Sequence, residues 1–289
     1  MSDQSGFKVI PSGSACGAEI QGIDLGAGLD DENFRKLDAA FNEHSVVVLR
    51  DQLSMSPNHH IALTRRLGGV DRYTFTEHSH PEYPEILRVS NLMEYAKPLG
   101  NPKAGHTWHT DQSYVEKPPR WTTLFALEVP EKEGVVLGYT LYASAAAAHE
   151  ALSDDMKKHL DGLSAVHQFS ARKRGDGKNK ELTPKQKADH PDVVHPVVRT
   201  HPVTGRKCLY VSEGECTAII GMDDKEALAL IDQLSHHITK PDFVYRHKWQ
   251  KGDLIIWDNC ALQHLAILDY APPLRRHMHR TTVQGTRPQ

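Results

Sequence analysis

The sequence predicts a mainly β chain, an antiparallel sandwich or barrel with flanking helices, and three observations predict it. Six short apolar runs read as strands, at 123–129, 163–169, 207–211, 243–249, 253–257 and 277–283. These runs never alternate with helices in the strict strand–helix–strand rhythm of a doubly wound nucleotide-binding sheet. No internal repeat and no Pro- or Ser-rich linker divides the 289 residues, so one domain over 1–289 is expected.

Taken in order, Asp30 and Asp31 open a helix in which Phe34, Leu37 and Phe41 recur at helical spacing, and Ser45 to Leu49 follows as a buried strand. Ser56-Pro57 reads as an N-cap and first helical residue, Ile61 and Leu67 share a face, and Gly68-Gly69 ends that helix. A third helix is expected from Ser144 through Ala151, with Ser153 capping a fourth. A fifth, from Asp223 to Ile238, carries Ala227, Leu230, Ile231, Leu234 and Ile238 as one apolar stripe, which is the pattern of core packing. The basic, Gly-containing stretch 171–190 is read either as a solvated loop or as a mobile lid over an active site.

Composition narrows the function classes. With 34 Lys+Arg against 37 Asp+Glu the net charge is −3, which excludes polyanion binding by bulk charge, so no nucleic acid partner is expected. No apolar run approaches the roughly 20 residues of a bilayer crossing, and the N-terminus lacks a signal-peptide pattern; no membrane partner and a cytoplasmic location are expected. Four sparse cysteines without Cys-x-x-Cys spacing read as reduced thiols. The 19 histidines invite a search for a metal site.

Familiar signatures fail. His149-Glu150 begins like a zinc-protease motif, but Ser153 stands where the second His is required. Neither a phosphate-binding Gly-x-x-x-x-Gly-Lys-Ser/Thr loop nor a Gly-x-Ser-x-Gly elbow occurs. What remains is Trp108-His109-Thr110-Asp111. In an extended segment residues i and i+2 share a face, so His109 and Asp111 can offer a nitrogen and an oxygen to one ion. His-x-Asp alone is weak. His264, which follows an apolar strand and a loop, is the candidate third ligand. Two histidines and a carboxylate form the facial triad that holds Fe(II) with three positions open, two for a 2-oxoacid and one for dioxygen. The same set also suits Zn²⁺. On the last strand a period of two puts Arg276, Met278 and Arg280 on one face and Arg275, His277 and His279 on the other. Two guanidiniums facing an interior are costly unpaired and become sensible if they grip two anions; rim salt bridges are the alternative.

Together, His109-x-Asp111, then His264, then Arg276 resemble the Fe(II)/2-oxoglutarate-dependent dioxygenases, and the surrounding segments resemble the taurine dioxygenase family. These segments are Trp108 to Asp111, His195-Pro-Val-Val-Arg-Thr-His201-Pro, Thr204-Gly-Arg-Lys, Trp257-Asp-Asn259, Gln263-His264, Asp269-Tyr270 and Arg275 to Arg280. The resemblance runs from about Gly17 to the C-terminus and implies a double-stranded β-helix, or jelly roll. It implies His109, Asp111 and His264 as iron ligands, Arg276 on the distal carboxylate of the cosubstrate 2-oxoglutarate, and Arg280 on the anionic group of the substrate. It also implies a threonine on 2-oxoglutarate, for which Thr140 is the best match although the stretch after Pro130 is four residues longer here. Position 260 carries Cys where relatives commonly have Arg. The implied reaction uses Fe(II), O₂ and 2-oxoglutarate, releases succinate and CO₂, and hydroxylates a small anionic substrate such as a sulfonate, a phenoxyalkanoate or a related carboxylate. A carboxylate as third ligand argues against halogenation. A homo-oligomer is expected. The rivals are a metal-containing barrel that senses or binds small acids, and a zinc hydrolase.

Overall fold

The computed structural model describes residues 6–71, 77–102, 104–169 and 183–289. Most of the expected lid, 171–182, lies outside the described residues, as do 73–76 and 103 of the two loops, 73–82 and 90–105, that the sequence offers as the lining of the outer pocket. In chain order the principal strands are β1 (Lys8–Pro11), β2 (Ala18–Gln21), β3 (Val46–Leu49), β4 (Leu87–Ser90), β5 (Trp121–Glu128), β6 (Thr140–Ser144), β7 (Ser164–His167), β8 (Val193–Pro196), β9 (Cys216–Ile219), β10 (Val244–His247), β11 (Leu254–Asp258), β12 (Leu262–Ala266) and β13 (His277–Val283). The helices are α1 (Asp31–His44), α2 (Pro57–Leu67), α3 (Ala145–Glu150), α4 (Asp154–Leu160), α5 (Pro184–Asp189) and α6 (Asp224–Ile238).

A seven-stranded sheet runs β1-β2-β3-β11-β5-β13-β4, antiparallel apart from the β2–β3 pair. A three-stranded sheet, β10-β6-β12, faces it. Alternation along each strand sorts the side chains. Val46, Val48, Leu124, Ala126, Ile255, Trp257 and Met278 point inward and meet Tyr142, Leu262 and Trp249 in one core between the sheets. The alternate residues Val47, Leu49, Trp121, Phe125, Leu254 and Ile256 point outward and are covered by Leu37, Ala40 and Phe41 of α1 and Leu63 of α2. Both faces of β11 are therefore dry, which is why its sequence is a continuous apolar run. A second three-stranded sheet, β8-β7-β9, packs with α3 and α6 around a further core that contains the whole α6 stripe. The architecture is a jelly roll with helices outside.

The expected helices form, with Ser56 and Ser153 as the expected caps; Asp30, Ser144 and Asp223, read only as helix starts, also accept from a backbone N–H in the first turn. The six expected strands form with ends shifted by a few residues. Seven of the strands above were not expected as strands. β1 is wholly exposed and has no buried alternation to detect, and Leu-Gln-His-Leu-Ala in β12 reads as loop until its partner β6 is known. The stretch between Pro130 and Thr140 forms a small hairpin in which Glu131 and Lys132 pair with Val136 and Val135. Glu133 and Gly134 turn it with φ of 54° and 78°, the positive values that a tight two-residue turn needs. Leu137 N–H donates to Pro130 O at 2.9 Å and closes its base. The hairpin projects outward and Thr140 starts β6.

Candidate active site

His109 and His264 form an isolated antiparallel bridge, with His264 N donating to His109 O at 2.8 Å and His109 N to His264 O at 3.2 Å. One expectation is corrected: the 109–111 segment is no strand but a loop pinned at one bridge, while His264 follows the strand and the turn after it, as expected, and lies within β12. The predicted convergence is nevertheless present. Nε2 of His109 lies 3.8 Å and Nε2 of His264 3.7 Å from the same oxygen, Asp111 Oδ1. All three residues are buried. Nδ1 of His109 is 2.7 Å from Thr107 O, so that nitrogen donates and Nε2, on the Asp111 side, is the one a metal would take.

Two other groups among the described residues have ligand-like spacing. In His201, Asp258 and Cys260, Nδ1 of His201 accepts from Val203 N and Thr204 N, so its Nε2 must donate to Asp258 Oδ2 at 2.8 Å and has no lone pair for a metal. Cys260 is buried there and donates its N–H to Asp258 Oδ1 at 2.7 Å. Glu213, Asp232 and His236 are exposed, where such clusters are common without an ion. The four cysteines are free and buried.

Electrostatics concentrate on Asp111. Burial alone would raise its carboxyl, but Arg280, then His264 and His109, and the Thr122 hydroxyl hold it well below the usual carboxylate range. Nη2 of Arg280 is 2.7 Å from Asp111 Oδ1, so the acidic partner of this guanidinium is the carboxylate of the triad itself.

Arg275 and Arg276 precede β13 rather than lying on it, but they turn to opposite sides as expected. Arg276 is 4% exposed, whereas Arg275 points outward and pairs with Glu128 at 2.5 Å. Asn91 Oδ1 accepts from Arg276 N at 2.8 Å and Ser90 Oγ donates to Arg276 O at 3.2 Å, fixing the backbone there. Its guanidinium lies 6.0 Å from the Trp249 ring, and Trp249 Nε1 donates to Thr140 Oγ1 at 3.0 Å. Thr140 and Tyr142 share one face of β6 with His264 of β12, because Tyr142 pairs directly with His264 and Thr140 with Ala266. Burial raises the Tyr142 hydroxyl well above its usual range, so it stays protonated, and Arg276 acts on it in the opposite sense. Arg276 Nε and Tyr142 Oη are both buried with no hydrogen-bond partner among the described residues. Buried donors in that condition fit an anionic ligand between them. Tyr142, Trp249, Thr122 and Asn259 were not singled out from sequence. The only signal was Asn259 within Trp257-Asp-Asn259.

Residues 8–282 match the taurine catabolism dioxygenase TauD, TfdA family. Pentalenolactone F synthase of Streptomyces arenae is 30% identical over 278 residues, covering 93% of this chain and 92% of the relative. The alpha-ketoglutarate-dependent 2,4-dichlorophenoxyacetate dioxygenase of Cupriavidus pinatubonensis is 30% identical over 277 residues, covering 92% and 93%. The alpha-ketoglutarate-dependent sulfonate dioxygenase of Saccharomyces cerevisiae is also 30% identical, covering 94% of this chain and 65% of the relative. Among solved structures, AAD-2 in complex with Mn(II) and N-oxalylglycine has a TM-score of 0.82 at 29% identity, with 98% of each chain covered. A taurine dioxygenase from Burkholderia xenovorans gives 0.80 at 31%, covering 98% of this chain and 90% of that one. The chain belongs to the taurine catabolism dioxygenase TauD, TfdA family.

Proposed function

We propose that His109, Asp111 and His264 hold Fe(II), that Arg276 with Thr140 and Tyr142 holds 2-oxoglutarate, and that Arg280 holds the anionic group of the substrate. The chain is a 2-oxoglutarate-dependent non-haem iron dioxygenase, and its relatives are named as alpha-ketoglutarate-dependent dioxygenases. The observation that carries the reading is two imidazole Nε2 atoms facing one Asp111 oxygen, with the buried guanidinium of Arg276 and hydroxyl of Tyr142 beside them.

When bound, iron, O₂ and 2-oxoglutarate supply the oxidation: the cosubstrate leaves as succinate and CO₂, and the second oxygen atom enters a C–H bond of the substrate. The chain's own residues do the rest. The His109 and His264 rings are held by their backbone bridge, and Trp257 and Tyr142 pack on His264 with centroids at 4.8 and 6.1 Å. Arg276 and Tyr142 bring a positive charge and a hydroxyl proton to a carboxylate in a dry interior, where charge-assisted hydrogen bonds are strong. Arg280 touches Asp111, so an anion on its guanidinium brings a neighbouring C–H bond next to the triad.

The relatives named for sulfonate and 2,4-dichlorophenoxyacetate support a small organic anion as substrate. A homo-oligomer of one-domain chains belongs to the same proposal and is read by light scattering. The test is anaerobic loading with Fe(II), addition of 2-oxoglutarate and a panel of sulfonates and phenoxyalkanoates, then air. Succinate release stimulated by one anion, and lost in His264→Ala, is expected. Arg280→Ala should raise KM for that anion with 2-oxoglutarate affinity little changed. Turnover by a zinc-loaded protein without 2-oxoglutarate would overturn the reading.

A further inference from the structure

The two oxygens of Asp111 have different surroundings. Oδ1 faces both imidazoles and Arg280, whereas Oδ2 accepts a hydrogen bond from Thr122 Oγ1 at 2.6 Å. Thr122 Oγ1 is itself bonded to Asn259 Nδ2 at 3.0 Å. Asn259 Oδ1 accepts from Trp257 Nε1 at 3.1 Å and from Asp111 N at 3.3 Å. The backbone of Asn259 is fixed as well, since its N–H donates to Arg120 O at 2.8 Å and its C=O accepts from Thr110 Oγ1 at 2.9 Å. Thr122, Asn259, Trp257 and Thr110 are all buried.

Donor and acceptor chemistry leaves this chain one direction. Indole and backbone N–H groups can only donate, so the Asn259 atom they share must be the carbonyl oxygen and the other must be the NH₂. That NH₂ donates to Thr122, so the single hydroxyl proton of Thr122 is left for Asp111 Oδ2. We infer that Thr122 and Asn259 are positioning residues that hold Asp111 Oδ2 away from the metal and make Asp111 a one-oxygen ligand. A carboxylate binding through both oxygens would use one of the three positions that 2-oxoglutarate and dioxygen require. The inference rests on the triad reading proposed above.

The experiment uses Co(II) as the probe, titrated anaerobically into the protein and followed by visible absorption, with 2-oxoglutarate added afterwards. Thr122→Val removes the proton and keeps the shape. Loss of such an outer hydrogen bond typically weakens metal binding 10- to 100-fold. We expect that loss, an altered Co(II) spectrum and a diminished spectral response to 2-oxoglutarate, with Thr122→Ser restoring all three. Asn259→Asp tests the direction independently: its carboxylate would take the Thr122 proton away from Asp111 and should reproduce the Thr122→Val spectrum, so the inference stays open to refutation if the valine variant does not fold. Asp111→Ala is run in parallel. If it binds Co(II) as tightly as the wild type, the triad reading fails. If it loses the metal while Thr122→Val or Asn259→Asp keeps wild-type affinity and spectrum, the positioning role alone is overturned.

Discussion

Arg275 and Arg276 are adjacent in sequence yet meet opposite surroundings, the first exposed against Glu128 and the second buried beside Trp249 and Tyr142. Arg276→Gln should weaken 2-oxoglutarate binding by about 1.5–3 kcal/mol, the range for a hydrogen bond to a charged group, or roughly ten- to a hundredfold in Kd. Arg275→Gln loses one exposed ion pair and should change it by less than about threefold. Calorimetric titration of 2-oxoglutarate into the metal-loaded variants decides, and equal effects would contradict the strand phase. The triad and the arginine pair were legible because rare, charged residue types at short spacing carry their chemistry openly. Thr122 and Asn259 were not, because their roles exist only once residues 137 positions apart are paired.

At the scale of elements, local signals were readable and non-local pairings were not. Helix ends are set by neighbouring residues, so Ser56-Pro57 announced α2, although His59 takes the place usually held by Glu or Gln in the reciprocal cap. Strands such as β6 and β12 become strands by pairing across more than a hundred residues, and nothing in Thr140–Ser144 distinguishes it from the run into α3. Ser56 Oγ accepts from His59 N at 3.3 Å, and His59 Nδ1 accepts from Ser56 N at 3.3 Å. Ser56→Ala should therefore cost about 1 kcal/mol of stability. Urea denaturation would show a lower midpoint at unchanged slope, and an unchanged midpoint would mean that α2 is held by its packing alone.

The whole molecule buries several histidines in neutral form, and its stability should depend on pH for that reason. His60 reaches from α2 to the large sheet, its Nε2 2.5 Å from Thr123 Oγ1, within a hydroxyl network that includes Thr64 and Thr281. His167 sits between Ser113, Tyr210 and His195. Burial above all, with neighbouring histidines second, pushes each down to about 3. In the unfolded chain a histidine titrates near 6.5, so between pH 6.5 and 3 the unfolded state binds one more proton per site. The unfolding free energy then rises with pH across that window: this contribution is whole above about 6.5 and is lost as pH falls. Each such site contributes a slope of about 1.4 kcal/mol per pH unit. His60→Gln, neutral at every pH and able to keep a polar contact with Thr123, should remove one site's share. Urea denaturation of wild type and variant at pH 7.5, 5.5 and 4.5 would show two curves whose separation narrows on acidification, by about 1.4 kcal/mol between the last two points. Parallel curves would mean that His60 takes up its proton inside the fold, and that the hydroxyl network around it accommodates the charge.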